Sequence, residues 1–395
     1  MFRKTIHTSV FLFIISFSFV LSFEDLNVER KIYNYMEKLV QFKTVSGNHE
    51  EVIRAFGWVK EELEGLPLFI EEFESNGFRS MVIKTQRGKA AKLWLVAHMD
   101  VVPAHEDLFS IKREGNLLFG RGCIDMKMAI ASYLQIFKDI SSSLSQYDLG
   151  IMLTSDEEIG GKNGVCHLLH REGITGDFAF LPDGAPNWQI ESEAKGIVQV
   201  KIIGKGKSCH GSRPWMGKNA IGGLILFLQD LTKDFENLKE FSPDYYPTCN
   251  IGKISGGNAV NQVPDYAEAY VDIRYPSSFD KEKLMERISL LSQDHPLIIY
   301  EELISASPYK AKIDHPKVRL FENIAQDKYG IDISVTRSHG ASDARFFGEA
   351  KIPVLLISPN GGDLHGEGEW VDFKDLMRFY AILKDWVSKA AKIEE

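Results

Sequence analysis

The chain has 395 residues, of which 44% are hydrophobic and 26% charged, and its formal net charge is −9. That length exceeds what one domain usually needs for its core, so two domains are expected. The acidic balance argues against a nucleic-acid footprint, which needs a basic face.

At the N-terminus, Arg3 and Lys4 precede an apolar run from Ser9 to Phe23. This has the order of a secretory signal and is short for a membrane span, which predicts an exported (periplasmic or secreted) protein that loses residues 1–22. Val20-Leu21-Ser22 only approximates a cleavage site, so an uncleaved anchor is the alternative. The four cysteines, Cys123, Cys166, Cys209 and Cys249, match no zinc-ribbon spacing. Free thiols are expected, with a disulfide as the alternative in an oxidising compartment.

Apolar residues at helical spacing predict helices over 23–45 and 50–63. Strand-like runs follow at 68–73 and 80–85. Leu93 to Ala97 is then a continuous apolar run that stops on His98-Met99-Asp100. In an extended chain residues two apart share a face, so His98 and Asp100 project together from the strand's carboxyl end, where open α/β sheets place their chemistry. A long apolar helix is predicted over 126–140. Further strands at 149–155 and 178–181 end on Asp156-Glu157-Glu158 and on Pro182-Asp183. Strands alternating with helices make this an α/β fold with a mostly parallel, helix-covered sheet.

From about Lys195 the pattern changes: strand 196–203, helix 220–231, strands near 249–254 and 267–275, helix 281–291, strand 297–304. This β-α-β-β-α-β order is ferredoxin-like. It is inserted, because helix–strand alternation resumes at His315 with a buried strand at 354–357 and a helix at 373–390. The expected division is a signal at 1–22, a catalytic domain from 23–194 and 307–395, and an inserted lid or dimerisation domain at 195–306.

Ionisable residues therefore cluster at three strand ends, and Asp125 adds a fourth place at a turn before a helix. One such carboxylate is usually a cap or loop residue. Four are costly to crowd together without a cation, and a pair of divalent metals removes that cost. His365, in a Gly-rich loop, is the candidate fifth ligand.

These residues carry a family resemblance through Ala97-His98-Met99-Asp100-Val101-Val102-Pro103, Gly120-Arg121-Gly122-Cys123-Ile124-Asp125-Met126-Lys127, Thr154-Ser155-Asp156-Glu157-Glu158-Ile159-Gly160, Cys209-His210-Gly211-Ser212-Arg213-Pro214 and Ser342-Asp343-Ala344-Arg345-Phe346. From about residue 29 to 389 the sequence resembles the dinuclear zinc metallopeptidases that include carboxypeptidase G, acetylornithine deacetylase and succinyl-diaminopimelate desuccinylase. The resemblance implies two zinc ions per subunit, for which cobalt can substitute. His98 and Asp183 would hold one, Glu158 and His365 the other, and Asp125 would bridge. Asp100 would orient His98, and Glu157 would be the general base of metal-assisted amide hydrolysis. His210 would stabilise the oxyanion in the site of a partner subunit, implying a homodimer through the inserted domain. Asn261, Arg274 and Arg345 are the implied substrate contacts, and Asp343 either lines the pocket or caps the helix after it.

Two departures bear on substrate. Met128 stands where relatives commonly have Gly, and Asp183 where the deacylases usually have Glu. The second points to the dipeptidase and aminoacylase branches, whereas the Ser342–Phe346 run points to the desuccinylases and deacetylases. The expectation is a hydrolase of small N-acyl amino acids or short peptides. Desuccinylase or deacetylase activity proper is the alternative, and a silent binding protein on the same scaffold the remote one.

Overall fold

A computed structural model describes residues 23–241 and 244–394; the expected signal segment lies outside them. Among the described residues no helix is long and apolar enough to cross a membrane.

The main sheet has six strands in the order Phe69–Ser75, Phe78–Lys84, Leu149–Thr154, Leu93–His98, Ala179–Phe180 and Val354–Leu355. The last four are mutually parallel, and the first two form an antiparallel hairpin on one edge. Leu93–His98 is buried at every position, as expected of a parallel strand covered on both faces. Helix Lys127–Asp139 packs on this strand and on the helices Phe23–Gln41 and Phe373–Ala390. The helix starts are set by local chemistry: Asn48, Asn219, Asp280 and Asp372 each accept a first-turn N–H.

The second sheet is fully antiparallel, in the order Thr248–Gly256, Tyr266–Tyr275, Gly196–Lys205, Ile298–Ala306. Val198, Val200 and Ile202 point to one face and pack with helices Ala220–Asn237 and Lys281–Asp294. Ile197 falls on the opposite, half-exposed face. This core shares no residue with the larger one, which the chain leaves after Ala194 and re-enters at Tyr309.

Two sheets built from short strands escape pattern reading. Gly361–Gly362, Trp370–Asp372, Leu117–Phe119 and Lys112–Glu114 form one, stitching the segment before Asp125 to the segment around His365. Tyr309–Lys310, Gln189–Ala194 and Ser334–Ser338 form the other. Strand pairing stops at Leu355, so the strand expected over 354–357 is half that length, although Leu356 and Ile357 are buried. All four cysteines are free thiols.

Trp94 lies opposite Gly150 across the parallel pair. A Cβ at Gly150 would come within 2.2 Å of the Trp94 ring, so the fully buried indole requires glycine there. Gly150→Ala is expected to destabilise the chain by about 1–3 kcal/mol through overpacking. Urea unfolding with Trp fluorescence measures this, and a midpoint equal to that of the parent chain contradicts it.

Candidate active site

The Leu93–His98 strand delivers His98 to its carboxyl end, fully buried. The His98 Nδ1 lies 2.9 Å from the Asp100 carbonyl oxygen. A carbonyl only accepts, so Nδ1 carries the proton and the lone pair of neutral His98 is left on Nε2. The Asp100 side chain does something different from the role expected of it. Its carboxylate stands 3.7 Å from Nδ1 and instead accepts the Ser46 hydroxyl at 2.8 Å and the backbone N–H groups of Glu157 and Glu158 at 3.3 and 3.2 Å. The backbone of Asp100 aims His98, and its side chain grips the turn carrying the paired glutamates.

Asp125 occupies the centre. One carboxylate oxygen is 3.0 Å from His98 Nε2 and the other 3.1 Å from His365 Nε2. Glu158 also reaches His365 Nε2 at 3.1 Å. His98, Asp125 and Glu158 form one group with ligand atoms within 4.8 Å of each other, and His98, Glu157 and Asp183 form a second. The two neighbouring glutamates of the short 3-10 turn Glu157–Ile159 fall in different groups.

The charges are strongly coupled. Burial alone would lower the pKa of His98, but Asp125, Asp100 and Glu157 outweigh it and hold the pKa well above 6.5. Hydrogen bonds that the protonated ring donates to Asp125 and Glu158 raise His365 to about 10. Burial opposes ionisation of Asp125, but the two imidazoles hold it below the usual carboxylate range. Burial, then the facing Asp183, push Glu157 well up, and burial with the Asp125 charge does the same for Asp183. The Asp183 Oδ2 is buried without a hydrogen-bond partner. Converging carboxylates, imidazole lone pairs and an orphaned oxygen fit divalent metal ions, which would take the place of protons here.

The scaffold behind the site uses residues the sequence motifs contain but do not explain. Arg121 donates to Glu369 at 2.6 Å and to the carbonyls of His365 and Gly366, while Glu369 accepts the N–H groups of Ile124 and Asp125. Both side chains are buried, and removing one partner of such a pair costs about 3–5 kcal/mol. This pair locks the His365 loop to the Asp125 turn. Its only signal in the sequence is a charged residue among glycines in each segment.

Arg345 is placed differently from the substrate contact expected of it. It is buried and donates to the carbonyls of Ser342 and Gly160, so it braces the end of the glutamate turn. Asp343 does not cap the following helix, since its side chain makes no capping bond. Its Oδ1 is buried and unpartnered, and burial raises it to about 7. Gly161, at φ +61°, lies against it; a Cβ there would sit 1.9 Å from that oxygen. Met128 is absorbed in the buried first turn of helix Lys127–Asp139.

His210, Asn261 and Arg274 belong to the inserted segment, Arg274 on its four-stranded sheet and Asn261 in a turn. His210 is exposed and pairs with Gln262 in a two-stranded ribbon, and the Gly211 N–H bonds the Asn261 carbonyl at 2.7 Å. The structure thus brings His210 and Asn261 together. No hydrogen bond or ion pair joins either to the carboxylate cluster among the described residues. The His210 Nδ1 accepts the Ser212 N–H at 3.1 Å, so the neutral ring presents an Nε2–H donor outward. Arg274 is half-buried and engages Asp272 through Nε at 2.7 Å and Nη2 at 3.3 Å, leaving only part of its guanidinium for another anion.

Comparison with known proteins follows the same line. The succinyl-diaminopimelate desuccinylase of Corynebacterium glutamicum is 27% identical over 260 residues, 64% of this chain and 68% of that one. A probable succinyl-diaminopimelate desuccinylase of Staphylococcus epidermidis is 26% identical over 389 residues, 88% of this chain and 94% of that one. A tripeptidase of Staphylococcus aureus shares the fold at a TM-score of 0.74 and 22% identity, covering 91% of this chain and 99% of its own. A dinuclear metal-binding peptidase of Bacillus subtilis does so at 0.67 and 15%, covering 92% and 98%. Residues 94–389, the span that holds every site residue named above except Ser46, match the profile of peptidase family M20/M25/M40: the chain belongs to this family of metal-dependent hydrolases of amide bonds.

Proposed function

We propose that the protein is a dizinc hydrolase of small N-acyl amino acids or short peptides. The observation that carries this reading is the Asp125 carboxylate with one oxygen on each imidazole, a bridge between two sites. His98 and Asp183 would hold one ion, and Glu158 and His365 the other. When bound, the pair supplies Lewis acidity to the scissile carbonyl and to the attacking water. Glu157 is left to take the proton from the water and deliver it to the leaving amine. Burial and the facing Asp183 raise its pKa, which makes the ionised carboxylate a stronger proton acceptor. His210 offers its Nε2–H to the oxyanion, with Asn261 beside it and the free part of Arg274 facing a substrate carboxylate. Desuccinylase activity proper is the second reading, favoured by the desuccinylase relatives at 24–27% identity. A panel of di- and tripeptides against N-acetyl and N-succinyl amino acids, with and without zinc, separates them. Turnover of the preferred class should fall about 10²–10⁴-fold in Glu157→Gln with both metals retained; near-normal activity in that variant removes Glu157 as the base.

Metal loading should release protons. In the metal-free chain the pKa of His98 is raised and that of His365 is raised to about 10, so the His365 ring is protonated at pH 7.5. The stabilisation that protonated His365 gives the metal-free chain is full below about pH 6.5 and is lost as pH rises through about 10. Zinc competes with that proton, so its affinity should climb over the same range. Zinc titration in weak buffer at pH 7.5 should therefore acidify the solution, and no acidification contradicts the ligand assignment.

A homodimer through the inserted domain is part of the same proposal. The edge strand Thr248–Gly256 is exposed, with Ile251 and Ile254 open beside Ile225 and Leu226 of the neighbouring helix. A cavity of about 410 Å³ lies between Ile225, Leu228 and Ile251. Such an unpaired edge is a template for a second copy. If His210 acts across that interface, co-expressing the inactive Glu157→Gln and His210→Ala chains restores activity, because one site of each mixed dimer is complete. Absence of recovery in a verified mixed dimer contradicts action in trans. Arg3, Lys4 and the apolar run after them support export.

A further inference from the structure

The turn after His210 carries a charge that the rest of the chain leaves unused. Its backbone is folded back on itself: the Arg213 N–H bonds the His210 carbonyl at 2.9 Å, and the Arg213 carbonyl accepts the Met216 N–H at 3.0 Å and the Cys209 thiol at 3.3 Å. Backbone bonds in both directions between Lys207 and Lys218 close the loop at its base. Arg213 is therefore held beside His210. Arg121, Arg274 and Arg287 each engage a carboxylate. Arg213 is exposed, and among the described residues its guanidinium makes no hydrogen bond or ion pair.

A cavity of about 460 Å³ opens at this turn, lined by Cys209, His210, Ser212, Arg213 and Met216. That is the size of a small-molecule site. The Ser212 N–H and hydroxyl stand 3.1 and 2.8 Å from His210 Nδ1, which leaves the Nε2–H of the ring for a ligand. The cavity thus joins a ring N–H, a guanidinium fork and the thioether of Met216, itself 57% exposed. No carboxylate lines it. These groups suit an anion with an apolar group next to it: Arg matches a carboxylate with two parallel N–H bonds, and Met adapts to varied apolar shapes.

The arrangement bears on substrate because the oxyanion and the carboxylate are close together in one class of amide. In an N-acyl α-amino acid or a dipeptide, a single carbon separates the scissile amide from the carboxylate. With His210 at the oxyanion, the cation for that carboxylate has to stand near the same ring. Arg213 shares the cavity with it. Arg274 does not line this space and has Nε and Nη2 on Asp272. In a longer peptide cleaved at its amino end, the carboxylate lies at least one residue further away.

We propose that Arg213 is a specificity-determining residue: it binds the carboxylate that follows directly on the scissile amide, while Met216 beside it takes an apolar side chain of the same residue. The substrates this selects are N-acyl amino acids and dipeptides ending in an apolar residue, in preference to those with a cationic side chain, which would meet no carboxylate in this cavity. The proposal rests on the reading of His210 as the oxyanion donor.

The test is calorimetric binding to the zinc-loaded full chain carrying Glu157→Gln, with N-acetyl-leucine, N-acetyl-leucinamide and N-acetyl-lysine as probes. N-acetyl-leucine should bind on the order of 10–100-fold more tightly than its amide, as one charge-assisted hydrogen-bonded contact provides. Adding Arg213→Gln should remove that ratio and leave the affinity for the amide unchanged, a coupling that a merely structural role would not produce. N-acetyl-lysine should bind more weakly than N-acetyl-leucine, and Met216→Glu should narrow or reverse that difference. Absence of binding by N-acetyl-leucine, equal binding of acid and amide, or a ratio that survives Arg213→Gln overturns the proposal; equal binding of the leucine and lysine compounds overturns the role of Met216. Failure of the underlying reading looks different: His210→Ala in the otherwise unaltered chain would then keep its kcat on the preferred substrate of the panel.

Discussion

Everything around the site depends on one carboxylate held between two imidazoles. Asp125 puts one oxygen on His98 and the other on His365; Glu157, Glu158 and Asp183 bring carboxylate oxygens within 4.8 Å of a His98 ring nitrogen, and Glu158 also reaches His365. No Lys or Arg pairs with these four carboxylates among the described residues. Their mutual repulsion in a buried space is relieved by imidazolium protons in the metal-free chain and by divalent ions in the working enzyme. That constraint explains why the flanking structure consists so largely of groups that hold backbone in place.

Three devices do the holding, each joining segments distant in sequence. A small antiparallel sheet and the buried Arg121–Glu369 pair bring the His365 loop onto the Asp125 turn. The Asp100 carboxylate grips the N–H groups of Glu157 and Glu158 at the start of their turn, and Arg345 takes the Gly160 carbonyl at its end. The Ser358 hydroxyl holds the turn of Asp183 by the carbonyls of Pro182 and Gly184 on either side of it. In the first two a buried charge is directed at peptide groups, where charge-assisted hydrogen bonds are strong and geometrically demanding. The result is an arrangement of carboxylates and imidazoles set by the scaffold itself.

The long elements were legible in the sequence because their physics is local. The apolar run before His98, the alternation from Gly196, and the capped helices at Ala220, Lys281 and Phe373 all declare themselves by periodicity. The convergence of His98, Asp125, Glu158, Asp183 and His365 was also readable, since each follows a buried strand or a turn. What escaped was decided by tertiary contact. Strands of two or three residues such as Gly361–Gly362 and Leu117–Phe119 carry no period. The roles of Asp100 and Arg345 depend on which carbonyl or N–H the fold brings near them. Two-residue spacing put Asp100 on the face of His98 but could not show that its carboxylate would turn away to the glutamate loop.

If Asp125 is the bridge, it is the one ligand whose loss affects both ions. Metal content by mass spectrometry after zinc loading of Asp125→Ala measures this directly on folded protein. Loss of both tightly held zinc ions is the result predicted for a bridging carboxylate. Retention of two, with the affinities of the parent chain, would contradict it and with it the dinuclear reading of the site.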